Sequence, residues 1–180
     1  MLLGEIGSGN EAAKGKLISV VYHKLHNMAS ALMPRERNNH TLQPTALVHE
    51  IYFKLFVGKP LQAPNRAYFF GAAANAMRQV LIDHARKRNA RPEQRQVPLL
   101  DEILDNLQTT SRVDLLDLDQ ALEELRLMSE RQSGVVTLRF YGGLKWNEIA
   151  TFLNVSTSTA EKEWQAARAW LYARLRGMRQ

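Results

Sequence analysis

Residues 144–175, LKWNEIATFLNVSTSTAEKEWQAARAWLYARL, decide how this chain folds. Ile149, Ala150 and Leu153 are spaced to give a short helix one buried face. Asn154 follows where the chain must bend sharply, and Asn tolerates the left-handed backbone region better than most residues. Val155 is placed to plug the angle between two helices. Ser158, Thr159, Ala160 and Glu161 read as a capping box, with Ser158 as N-cap and Glu161 reaching back. Beyond it, Ala160, Trp164, Ala167 and Leu171 form the inward stripe of a second helix. Short helix, tight turn and second helix have helix-turn-helix spacing, a unit that lays the start of its second helix in the DNA major groove.

The outward positions on that second helix are Thr157, Ser158, Thr159, Glu161, Lys162 and Gln165. Gln pairs with adenine, Glu accepts from cytosine, and Lys reaches guanine or phosphate. Arg168, Arg174, Arg176 and Arg179 are spaced to neutralise flanking phosphates. Trp164 and Trp170 read as core rather than as base-stacking rings. Glu161 is open to two uses, the capping box or a base contact. The arginines from Arg174 onward fit a solvated helix end as well as a phosphate track.

Upstream, the expected elements are helical. Leu17, Val21, Leu25, Met28 and Leu32 recur at three- and four-residue steps until Pro34 closes the stretch. A polar segment, residues 35–43, follows. Pro44-Thr45 starts a second helix with Leu47, Val48, Ile51, Tyr52 and Leu55 on one face, ended by Gly58. Residues 59–64 read as a loop. Asn65 caps a third helix running to about Arg88, rich in alanine and free of proline. Residues 89–112, with Pro92 and Pro98, read as a linker. A further helix starts near Asp114, with Leu118, Leu122, Leu125 and Met128 buried, and another spans residues 133–141 before Gly142-Gly143. No convincing strand alternation appears. The class is all-α, with two small helical domains joined by a flexible linker: residues 1–90, linker 91–113, and residues 114–180 carrying the helix-turn-helix.

Charge distribution adds to this. The 180-residue chain has a net charge of +6. Residues 66–95 carry seven basic and two acidic groups, residues 101–130 carry two and nine, and residues 131–180 carry eight and three. Two basic segments flanking an acidic one suggest two places to meet a polyanion. Within the first of them, Tyr68, Phe69 and Phe70 precede the cluster Asp83-His84-Ala85-Arg86-Lys87-Arg88. Cations that follow a backbone, beside rings that stack on exposed bases, suit partly single-stranded DNA. Two of the three rings are expected in the core.

Other chemistries find little support. The chain has no cysteine, so disulfides and thiolate metal sites are excluded. No apolar run is long enough to span a bilayer, no signal-peptide pattern opens the chain, and a cytoplasmic protein is expected. His49-Glu50 resembles the start of a zinc-protease motif, but Phe53 stands where the second histidine ligand belongs. The Gly7-Ser8-Gly9 stretch lacks the Gly-Lys-Ser/Thr ending of a phosphate loop. His23 and His26 read as surface or core histidines. No nucleophile–base pair stands out, so neither independent catalysis nor a cofactor is expected.

Two strings carry a resemblance over nearly the whole chain: Leu42-Gln43-Pro44-Thr45-Ala46-Leu47-Val48-His49-Glu50, and Trp164 followed by Ala167-Arg168-Ala169-Trp170-Leu171. With them the chain resembles the extracytoplasmic-function (ECF) class of sigma factors, promoter-recognition subunits of bacterial RNA polymerase. The resemblance implies that residues 46–56 dock on the core polymerase through Leu47, Glu50, Ile51 and Lys54. It implies −10 recognition and melting by the helix 66–88, through Tyr68, Arg78, Gln79, Asp83, His84, Arg86, Lys87 and Arg88. It assigns the −35 element to the helix-turn-helix, through Lys145, Thr157, Ser158, Thr159, Glu161, Lys162, Gln165 and Arg168. Core RNA polymerase and promoter DNA would be the partners, with an anti-sigma factor as a further one.

The chain departs from that family in three places. Gln79 stands where Asn is frequent, near the site for a flipped −10 base. Lys145 stands where Ser or Thr usually caps the first helix of the helix-turn-helix, which leaves Glu148 without its box partner and frees Lys145 to meet phosphate. Only Met1–Ile6 precede the Gly7-Ser8-Gly9-Asn10 turn, so a start upstream of Met1 is expected. A stand-alone helix-turn-helix regulator and a helical interaction adaptor are the competing readings. Neither accounts for both the basic-aromatic helix and the docking helix.

Overall fold

Proline and asparagine set the first boundaries. In the computed structural model, residues 11–32, 43–56, 63, 65–87, 96–98 and 112–178 are described. Helix α1 spans Glu11–Leu32. Pro44 opens α2 (Pro44–Phe56), at a position where its missing N–H leaves no bond unmade. Asn65 caps α3 (Arg66–Lys87) as expected, its Oδ1 accepting from the Tyr68 N–H at 3.1 Å. The alanines of α3 let its neighbours approach closely. Ala73 and Ala74 are buried with Met77 and Val80, in one core cluster with Leu47, Val48 and Ile51 of α2 and Met28, Ala29 and Leu32 of α1.

The second half begins with Asp114, whose carboxylate accepts from the Leu116 N–H at 2.8 Å and caps α4 (Leu115–Met128). Ser129 caps α5 (Glu130–Phe140), four residues earlier than the spacing suggested. Ser133, the expected start, is instead buried in the helix and donates to the Leu122 carbonyl at 3.0 Å. Met128 is not core; it is 61% exposed at the end of α4. Helix α6 (Trp146–Leu153) and helix α7 (Thr157–Gly177) complete the chain. Leu118, Leu122 and Leu125 face Val135, Val136 and Leu138, closed by Ala160, Trp164, Ala167 and Leu171. Full burial of each large apolar side chain contributes roughly 1.5–3 kcal/mol.

Strand structure, unexpected from the sequence, joins the ends of the predicted linker. Strands β1 (Gln96–Pro98) and β2 (Arg112–Asp114) pair antiparallel, with Val97 opposite Val113. The fold class is nonetheless all-helical. The rest of that linker, the N-terminal turn at residues 7–10, the segments expected at residues 35–42 and 59–62, and Arg88 lie outside the described residues. The buried side chains of both halves form one continuous cluster. Along the seam, Gly142 approaches α3 so closely that a Cβ there would lie 3.0 Å from Ala74 Cβ. A Cβ on Gly71 would overlap the Phe152 ring.

Candidate nucleic-acid interface

Helix α6, the bend and α7 are built as local chemistry dictates. Asn154 is the single non-glycine residue of positive φ among the described residues, at φ 53° and ψ 50°. The Val155 N–H returns to the Ala150 carbonyl at 3.0 Å, closing α6 in the Schellman manner. The expected cap of α7 needs correction. Ser156, not Ser158, accepts from the Thr159 N–H at 3.0 Å, and the Ser156 and Thr159 hydroxyls bond at 2.7 Å. The cap lies two residues earlier than the Ser-x-x-Glu pattern implied. Glu161 is therefore released from capping and stands exposed with Thr157, Ser158, Lys162 and Gln165, while Thr159 is half-buried and Arg168 partly so. Trp164 is buried, its ring 5.9 Å from Trp146, and Trp170 is half-buried, as expected of core rings.

Lys145 precedes α6 with no side-chain oxygen to offer, yet Glu148 keeps a partner. Its Oε2 accepts from the Lys145 N–H at 3.0 Å, so half of the box survives. Its Oε1 lies 3.6 Å from Lys24 Nζ and 3.3 Å from Arg66 Nε. Burial pushes the Glu148 carboxyl upward, but the Lys145 N–H, Lys24 and Arg66 outweigh it and hold the group below the usual glutamate range. Burial likewise pulls the Lys24 ammonium below its ordinary value, partly offset by Glu148. Lys24 and Arg66 also sit over the Phe70 ring, at 4.1 and 5.0 Å from its centroid. Arg174 turns away from any phosphate track: it forms a two-point pair with Glu124 at 2.6 and 2.8 Å.

On α3 the aromatic triplet divides as expected, with Phe69 and Phe70 buried. Tyr68 is half-buried and packs on Phe152 of α6, ring centroids 5.2 Å apart. Gln79, Arg86 and Lys87 are exposed. Arg78 is not presented outward. Its Nε and Nη2 donate to Asp119 Oδ1 at 2.9 and 2.7 Å, and Nη2 donates to Glu123 Oε1 at 2.9 Å. Arg86 Nη2 donates to Asp119 Oδ2 at 3.1 Å. These residues, with Asn75, Gln79 and Ile82, line a polar cleft of about 350 Å³. Asp119 and Glu123 were not singled out in the sequence, where 41 and 45 residues separate them from Arg78.

The docking assignments on α2 also need correction. Leu47 and Ile51 are fully buried against α3 and α1, so they hold the core and offer no surface. Glu50 and Lys54 are accessible but tied to α3: Glu50 Oε1 lies 2.8 Å from His84 Nε2, and Lys54 Nζ lies 3.5 Å from Asp83. The prominent outward group is Phe53, 60% exposed and missed from sequence, because a lone Phe off the buried stripe carries no periodic signal. Among the described residues no His/Cys/Asp/Glu group could hold a metal, and no helix is long and apolar enough to cross a membrane.

Residues 1–177 match the ECF sigma factor family. The chain belongs to that family. It is thus a sigma factor of RNA polymerase, a DNA-binding protein of transcription initiation. A solved structure of CnrH in complex with the cytosolic domain of CnrY is similar over 98% of this sigma factor and 96% of that chain, at 23% identity and a TM-score of 0.45. A comparison with curated proteins finds no match.

Proposed function

We propose that this sigma factor brings core RNA polymerase to promoters by reading two DNA elements with two helices. Helix α7 enters the major groove of the −35 duplex, where Glu161, Lys162 and Gln165 meet base edges and Thr157 and Ser158 the backbone. Helix α3 takes the −10 element, with Gln79 beside the flipped base and Arg78, Arg86 and Lys87 along the phosphates. Residues 1–90 and 114–180 act as the two functional units. The exposed face of α2, centred on Phe53 with His49, Glu50 and Lys54, docks on the polymerase. The protein works in the cytoplasm, without catalysis of its own, and an anti-sigma partner restrains it.

One observation supports this reading most strongly. The first turns of α7 present Thr157, Ser158, Glu161, Lys162 and Gln165 to solvent, while Ala160, Trp164 and Ala167 lock the same helix into the core. A rigid helix with a free polar leading edge is what groove readout requires.

Run-off transcription with purified core polymerase, on a pool of genomic promoter fragments, tests it. Discrete new transcripts sharing −35 and −10 sequences are the expected result. Association with duplex DNA but none with core polymerase would favour the stand-alone regulator instead.

A further inference from the structure

A carboxylate is costly on a face that approaches a polyanion, and α7 carries two that differ in what they touch. Glu163 is engaged by α5: its Oε1 lies 3.4 Å from Arg131 Nη1, and its Oε2 accepts from Gln132 Nε2 at 3.1 Å. Glu148 of α6 is held too, by the Lys145 N–H, Lys24 and Arg66. Glu161 stands exposed on the leading edge of α7 and has no hydrogen bond or ion pair among the described residues.

Helix geometry accounts for this isolation. The positions three and four residues away, where a partner on the same helix would stand, hold Thr157, Ser158, Trp164 and Gln165. None of them is cationic. Capping does not use Glu161 either. Ser156 holds the first turn, and Glu161 lies a full turn inside the helix, where the N–H groups already have partners. The side chain thus has no structural task, and it faces the groove uncompensated.

We propose that Glu161 sets base specificity in the −35 contact, accepting from the N4 amino group of one cytosine and rejecting guanine and thymine at that position. The inference rests on the reading of α7 as the −35 helix. In the major groove cytosine offers a carboxylate only a donor. Guanine offers two acceptors, thymine an acceptor and a methyl, and adenine a donor beside an acceptor. An ionised carboxylate accepts and cannot donate. It therefore gains a charge-assisted bond over cytosine and meets repulsion over guanine or thymine. Nearby phosphates repel it whatever the base, so the wrong base both loses the bond and leaves that repulsion unrelieved.

The test uses core polymerase with the full chain and a promoter found by run-off transcription, its −35 region randomised. Bound fragments are sequenced for the unsubstituted protein, Glu161→Ala and Glu161→Gln. The position is exposed, so the three melting curves should coincide. The unsubstituted protein should select cytosine at one position, by roughly 10-fold over guanine or thymine. Glu161→Ala should make that position degenerate, with guanine and thymine gaining most, and leave the rest of the element as it was. Glu161→Gln should move the preference there to adenine, which Gln pairs through N6 and N7.

Unchanged preference at every position in both variants overturns the proposal, as does a change centred on any base but cytosine. A uniform loss of recovery overturns it as well, since that makes Glu161 a positioning residue. Lys162→Ala and Gln165→Ala in the same selection separate the two layers. If they move preferences and the Glu161 variants do not, α7 still reads the −35 element and only this inference falls. If no variant moves any preference, both fall together.

Discussion

Helices α3 and α7 carry the same kinds of residue and stand in opposite conditions. On α7, Glu161, Lys162 and Gln165 point to solvent, and the inward side is apolar, held by Trp164 and Ala167. On α3, the inward side is equally apolar, with Phe69, Phe70 and Met77, but Arg78 and Arg86 are engaged by carboxylates from α4. A helix sequence therefore states which side chains could read DNA. Whether they are free to do so depends on what distant segment lies over them. That second fact belongs to tertiary packing.

The comparison breaks most visibly at Trp164. Replacing it with Ala empties the centre of the α5–α7 core and should cost about 3–5 kcal/mol, with early melting of the C-terminal half. Duplex −35 binding should vanish while single-stranded binding through α3 persists. If melting is unchanged, Trp164 is not the anchor of α7. At the next level, Lys162→Ala and Gln165→Ala should each alter preference at particular −35 positions by about 1–3 kcal/mol, measured as relative promoter affinity. A uniform loss across all sequences would make them backbone contacts and bring α7 closer to α3 in kind. Ser156→Ala should destabilise α7 by about 1 kcal/mol, read from thermal unfolding, and Ser158→Ala should not.

The smallest effect concerns acid. Glu148 is held below the usual glutamate range, so its contribution is fully present above that range and is lost as pH falls through its folded-state value. Stability should therefore hold from neutrality to about pH 5 and then decline. Glu148→Gln should flatten that decline in a pH series of melting curves. An unaltered profile would show that the Lys24 and Arg66 contacts do not survive in solution.

What the sequence disclosed follows from how local each decision is. The left-handed Asn154, the Asn65 cap and the burial of Trp164 depend on neighbours within a few residues, and each stands as read. STSTAE offers two serines as caps, and the bend that chooses Ser156 over Ser158 is shorter than the capping-box spacing suggests. The resemblance assigns Leu47 and Ile51 to docking, yet a buried stripe is claimed first by the chain's own core. Here α1 and α3 claim it. The Arg78–Asp119 pair was invisible because it joins helices separated by the linker, and no pattern in either helix names the other. The β1–β2 ladder escaped notice because three-residue strands leave no period to detect.

The shared Asp119 carboxylate has a further consequence, visible in ions rather than in residues. A cation that meets DNA from bulk water releases the counterions of the phosphate it neutralises, and log affinity falls by about 0.9 per phosphate for each decade of salt. Arg78 and Arg86 each already hold a carboxylate. As they move to DNA, Asp119 and Glu123 are left bare and gather sodium or potassium of their own, so part of what the DNA sheds is taken up again by the protein. The salt slope of this sigma factor should thus be shallower than its phosphate contacts imply, and Asp119→Asn should steepen it.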